Sequence, residues 1–178
     1  LTATGVISPA EGLAGFSNAA TVTVGAMFVL SHAVVKTQVI EYIGPYMAKL
    51  LKKGYSQTCL ALSVMVGLPS AFVNNTPIVA TFIPIVTTTA RKLGLSPSRF
   101  LIPLSYIAIF GGACTLIGTS TNILVSSMAR EAGYQGLDMF TLTPLGMVFF
   151  GLGLLYLIIL GPSLIKERLA EDQLEAQG

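Results

Sequence analysis

Pro69-Ser70-Ala71-Phe72-Val73-Asn74-Asn75-Thr76-Pro77 is the stretch that decides the fold. It lies in the middle of residues 54–90, which contain no Asp, Glu, Lys or Arg. One straight helix over that span would be about 55 Å long, against a bilayer hydrocarbon core of about 30 Å. The helix must break, and Pro69, Asn74, Asn75 and Pro77 mark where. Basic residues flank the span on both sides, Lys49, Lys52 and Lys53 before it and Arg91, Lys92 and Arg99 after it. The positive-inside rule puts both flanks in the cytoplasm. The chain therefore enters and returns, and its two arms meet at residues 74–76. Either two tight crossings or a re-entrant hairpin with a polar tip fits this reading.

The surrounding sequence repeats the theme. Of the residues, 53% are apolar and 10% are charged, where a soluble chain carries roughly 25% charged residues. Residues 12–35, 100–129 and 139–165 are further charge-free runs. The fold class expected is all-α, a polytopic membrane protein. Residues 1–18 read as a connection. Residues 19–53 read as a membrane helix followed by an amphipathic interfacial helix, with Val39, Ile40, Ile43, Tyr46, Met47, Leu50 and Leu51 at helical spacing. Residues 54–93 form the hairpin, 100–130 a second broken helix, 142–165 a membrane helix, and 166–178 a charged cytoplasmic linker. Both ends of the chain read as cuts. Net charge is +2, which signals topology and not nucleic-acid binding. Cys59 and Cys114 lie in apolar runs and read as core residues. Gly111-Gly112 and the Gly151/Gly153 pair read as close-packing positions.

Broken backbone at membrane depth is tolerated only where it is buried in protein or lines a cavity. At the tip, the first arm ends around Ser70–Val73, and its last carbonyls suit a cation. The second arm is expected to start at Pro77 with Thr76 as its N-cap, and its free N–H groups suit an anion. Such discontinuous helices are the hallmark of secondary transporters. The second break, Gly118-Thr119-Ser120-Thr121-Asn122, adds Thr115, Gly118, Thr119 and Asn122. All of these are neutral oxygen and amide ligands, as a hard cation prefers. Neither break contains an ionisable side chain, which favours sodium over proton coupling. His32, the only histidine, has no acidic partner in sequence and cannot by itself supply an enzyme's nucleophile and base. The protein is read as a non-enzyme.

The run from Pro69 to Pro77 resembles the hairpin-tip motif of the divalent anion:sodium symporters and their wider ion transporter superfamily. That superfamily includes citrate transporters, arsenite permeases and some sodium/proton antiporters. The spacing Gly111-Gly112-x-x-Thr115-x-x-Gly118-Thr119-x-x-Asn122 resembles the broken helix that follows the tip. Gly15-Phe16-Ser17-Asn18 and Leu101-Ile102-Pro103-Leu104-Ser105-Tyr106 resemble bacterial permeases whose membrane halves are separated by cytoplasmic regulatory domains. The resemblance implies one of two inverted repeats, a scaffold plus a moving transport region, and a homodimer in the bacterial inner membrane. Sodium, the coupling ion and not a bound cofactor, would meet Ser70, Asn74, Asn75 and Gly118. A small anion would meet Asn74, Asn75, Thr76, Thr119 and Asn122. Two departures stand out. The tip begins with Asn74 where the family usually has serine, and Ser120-Thr121 stand where dicarboxylate carriers often have two prolines.

The function implied is sodium-coupled symport of an inorganic or carboxylate anion by alternating access. An antiporter on the same fold, sodium/proton or arsenite-extruding, is the first rival. A half-helix channel is the second, although Pro77 comes two residues after Asn75 and breaks the Asn-Pro-Ala pattern of water channels.

Overall fold

A computed structural model describes residues 8–36 and 44–165. The regular structure of the described residues is all helical, with no strand among them. Among the described residues the α-helices in chain order are α1 (Pro9–Ala14), α2 (Ala19–Lys36), α3 (Gly44–Lys53), α4 (Tyr55–Leu62), α5 (Leu68–Ser70), α6 (Asn75–Lys92), α7 (Ser98–Gly112), α8 (Ser120–Glu131) and α9 (Thr143–Leu164). A 3₁₀ turn, Gly15–Ser17, follows α1, so the opening read as a plain connection carries helical turns. Val39, Ile40 and Ile43, and the linker at 166–178, lie outside the described residues.

Gly54 at φ 114° makes the corner between α3 and α4, a conformation a β-carbon would strain. The Thr58 hydroxyl closes that corner, 2.9 Å from the Gly54 carbonyl and 3.1 Å from that of Leu50. α3 turns Met47 and Leu51, one helical turn apart, into the core and keeps Lys52 and Lys53 at its end. α4 runs on through a π-helical turn, Ser63–Gly67, into α5. Pro69 supplies the reason for that irregularity, because it has no N–H to give the preceding turn.

The second arm, α6, buries Ile78, Phe82, Val86 and Ala90 at a four-residue spacing. Its interior Pro84 is tolerated, and the Thr88 hydroxyl donates to the Pro84 carbonyl at 2.7 Å. α7 is the central helix, packed against α4, the π turn, α6 and α9. Its buried face carries Phe100, Leu104, Ile107, Ala108 and Gly111. A smaller cluster joins α2 to α8 through Ala20, Met27 and Ile123.

α9 is, by length and composition, the one helix among the described residues able to cross a bilayer. Only 17% of its apolar window is buried within the chain. It touches the bundle along Gly146, Gly153 and Gly161, which admit the Cys114 backbone, the Phe110 ring and the Tyr55 phenol. Leu145, Met147, Val148, Phe149 and Leu152 face outward. Helix packing of this kind, through small residues beside a wholly apolar exterior, is how helices associate in lipid.

Candidate functional site

The hairpin tip and the second break meet. α5 ends at Ser70, residues 71–73 turn, and α6 begins at Asn75. The second break spans residues 113–119, between α7 and α8. It therefore starts before the position expected from sequence, and Ser120, Thr121 and Asn122 form the first turn of α8. Helix α7 stops at Gly111-Gly112, where one glycine is pressed against backbone and the next against a side chain. A β-carbon on Gly111 would strike the Gly67 carbonyl of the π turn. One on Gly112 would lie 2.5 Å from Asn75 Oδ1 and 2.7 Å from Asn75 Nδ2. Gly118 folds back onto Gly112 with equal closeness.

Thr115 ties the two breaks together. Its hydroxyl donates to the Ala71 carbonyl at the tip and accepts from the Gly118 N–H at 3.1 Å. Its own carbonyl accepts from Asn122 Nδ2 at 2.9 Å. Thr143, at the start of α9, donates to the Cys114 carbonyl at 2.8 Å. These bonds satisfy irregular backbone from within the protein, as buried N–H and C=O groups require.

The sequence-predicted residues fall into two groups. Ser70 is fully buried, and its Oγ has no hydrogen-bond partner. Asn75 Oδ1 is likewise buried and without a partner. Leaving a buried polar group without a partner costs about 1–3 kcal/mol, and both of these oxygens belong to the tip. Gly118 is buried close by, on Gly112. Cys59 and Cys114 are buried and free, and the described residues hold no cluster of His, Cys, Asp or Glu able to bind a metal. Any cation held here is held by neutral oxygens.

The second group serves the backbone. Asn74, not Thr76, is the N-cap of α6, and Asn74 Oδ1 accepts from the Thr76 N–H at 3.1 Å. Helix α6 thus starts two residues earlier than its proline predicts. This correction changes the electrostatics of the tip. Thr76 N–H is consumed by the cap and Pro77 has none, so Asn75 N–H is the first-turn donor left over. It also explains the departure from serine at position 74, since Ser and Asn are equivalent N-caps. Thr76 itself is exposed. Asn122 is spent on Thr115, while Thr119 caps α8 with extended backbone and no side-chain bond. The first turn of α8 therefore leaves Ser120 and Thr121 N–H without intrahelical acceptors. Ser120 and Thr121 line a cavity of about 260 Å³ together with Ala20, Thr21, Val24 and Leu124.

Sequence reasoning counted Thr115 among the neutral oxygen groups of the second break and read Gly112 as a close-packing position, but assigned neither of them a contact with the tip. The Gly-Gly-x-x-Thr spacing was the available signal, but only the fold shows that Thr115 reaches the tip and Gly112 the Asn75 carboxamide.

The citrate transporter family profile matches residues 1–174. An uncharacterized transporter of Synechocystis sp. is 46% identical over 92% of this chain and 27% of its own length. An uncharacterized transporter of Escherichia coli is 33% identical over 88% of this chain and 26% of its own. Sodium/sulfate cotransporter 1 of Chlamydomonas reinhardtii is 30% identical over 96% of this chain and 20% of its own. The chain thus spans about a quarter of the length of these relatives. No solved structure matches it. With a family profile covering nearly every residue and transporters as its relatives, the chain belongs to the citrate transporter family of integral membrane transporters and is not an enzyme.

Proposed function

We propose that this chain is one of two inverted repeats of a sodium-coupled anion symporter that works by alternating access, with residues 55–92 as a re-entrant hairpin. The observation that carries the reading is the pair of orphaned oxygens, Ser70 Oγ and Asn75 Oδ1. They sit where the carbonyl end of one half-helix meets the amide end of the next. Oxygen ligands without a formal charge suit a monovalent hard cation, and Gly118, packed on the Gly112 that abuts Asn75, is the third ligand of the reading. The anion is held next to it by Asn75 and by the free first turn of α8.

The anion class follows from that turn. Ser120 and Thr121 keep two N–H donors that prolines at these positions would remove. A compact oxyanion with acceptors on every side uses such donors well. Sulfate is the first substrate to test, in keeping with the sodium/sulfate cotransporter names among the relatives. The protein works in a plasma membrane, the bacterial inner membrane, as a homodimer.

The test is uptake of radiolabelled sulfate into proteoliposomes holding the full-length protein, with a sodium gradient and with choline in its place. Uptake in the parent protein requires sodium. Ser70→Ala and Asn75→Ala lose sodium-stimulated uptake while inserting normally. Sodium-dependent uptake undiminished in both variants would remove the cation from this tip.

A further inference from the structure

The link between α8 and α9, residues 132–142, supplies no ligand to the tip, yet it grips the second break. A turn within it is closed by two bonds between the same pair of residues. Asp138 N–H donates to Thr141 Oγ at 3.0 Å, and Thr141 N–H donates to the Asp138 carbonyl at 3.2 Å. Inside that turn the Met139 carbonyl accepts from Leu116 N–H at 3.0 Å. Ser126 of α8, 4% exposed, fastens the link to its own helix, with Oγ accepting from Leu137 N–H at 2.9 Å. Thr143, the first residue of α9, donates to the Cys114 carbonyl at 2.8 Å. Gly146 lets α9 come close to the same peptide, since a β-carbon there would lie 2.7 Å from Cys114 Cα.

Three consecutive residues of the break are thus held by three different elements. The Cys114 carbonyl is bound from α9, the Thr115 carbonyl from Asn122 of α8, and Leu116 N–H from the link. Between these anchors the Thr115 hydroxyl reaches the Ala71 carbonyl at the tip. Residues 113–119 have no helix of their own to fix them, so the anchors set where Thr115 and Gly118 stand. Binding constellations work when their groups are held within about 0.5 Å. Groups that orient metal ligands from behind typically change affinity by about 10–100-fold when removed.

We propose that Thr143 and Ser126 are positioning residues of the sodium site. Thr143 holds the second break from α9, Ser126 holds the link from α8, and together they fix Thr115 against the tip. Neither side chain touches the ion. The inference rests on the reading of the tip as a sodium site. Coupling between two places in one protein is reciprocal, so sodium at the tip steadies the link in return.

The experiment is hydrogen exchange, read by mass spectrometry, on the full-length protein in lipid nanodiscs with sodium or with choline, beside sodium titrations of uptake. Sodium is expected to slow exchange in a peptide covering residues 70–78 and in one covering residues 133–143. In Thr143→Val, saturating sodium still protects the first peptide and no longer protects the second. Thr143→Val and Ser126→Ala raise the sodium concentration for half-maximal uptake about tenfold and leave maximal uptake within about twofold of the parent. Thr143→Ser, which keeps the donor, restores both readouts. A link indifferent to sodium beside a protected tip overturns the proposal, and the parent protein alone decides this even where a variant fails to insert. So does an unchanged sodium requirement in both T143V and S126A, which would leave the two hydroxyls with a structural role only. A tip that is itself indifferent to sodium removes the sodium site first, and this proposal with it.

Discussion

The hydroxyl of Thr115 donates its hydrogen to the backbone carbonyl of Ala71, forty-four residues earlier in the chain. This one bond joins the turn of the hairpin to the gap between α7 and α8. The same oxygen accepts from the Gly118 N–H, so Thr115 fixes the shape of its own break as well as its position on the tip.

Thr115→Val keeps the volume and removes both bonds. Two buried hydrogen bonds are lost and two backbone groups are left unpaired, a cost of about 2 kcal/mol or more. Sodium-stimulated uptake is expected to fall about tenfold, which corresponds to ~1.4 kcal/mol. Thr115→Ser keeps the donor and retains most uptake. Parallel uptake and thermal-unfolding measurements on the two variants check this, and equal behaviour of valine and serine would contradict it.

Asn74 acts through the backbone. Asn74→Ser preserves an N-cap and leaves transport and stability near the parent level. Asn74→Ala removes the acceptor for Thr76 N–H at a cost of about 1 kcal/mol. Melting temperatures of the two purified variants read the difference directly. A direct ligand role for the Asn74 side chain would instead make the serine variant fail in uptake.

Gly112 tests the contact between the two breaks. A methyl group there would lie 2.7 Å from Asn75 Nδ2 and must push the carboxamide aside. Gly112→Ala is expected to raise the sodium concentration needed for half-maximal uptake by about tenfold, or ~1.4 kcal/mol, with normal membrane insertion. Gly151, which has open space around it, is the control: Gly151→Ala changes nothing measurable in the sodium titration.

The first turn of α8 tests the choice of anion. The double variant Ser120→Pro, Thr121→Pro removes two N–H donors without adding charge. It is expected to cut sulfate uptake by about tenfold, a loss of ~1.4 kcal/mol, while sodium still stabilises the protein against heat. Competition assays with sulfate and a dicarboxylate report the shift. Unaltered sulfate uptake would place the anion elsewhere.

The helical content and the two interruptions were legible in the sequence, because they rest on local properties: long charge-free runs, prolines that forbid continued helix, and Asn and Thr where apolar residues would otherwise stand. The start of α6 was not legible to within two residues. Pro77 fits the first position of a helix and also its third, and the sequence does not say whether Asn74 or Thr76 turns its side chain back to cap. The extent of the second break was misjudged for a similar reason. Ser120, Thr121 and Asn122 are poor helix formers in isolation, yet they are well suited to a first turn.

By itself the sequence determined that this chain is a set of apolar helices with two polar interruptions and the residue types a neutral cation site requires. Only the tertiary structure decided which of those residues are free. Asn74 and Asn122 make local or neighbouring bonds and are spent, while Ser70 Oγ and Asn75 Oδ1 are enclosed with nothing to bind. The physical reason is that a hydrogen bond consumes a ligand, and whether a partner arrives depends on chain segments far apart in sequence. The close approach of Gly111 to Gly67 and of Gly112 to Asn75 is what brings those segments together.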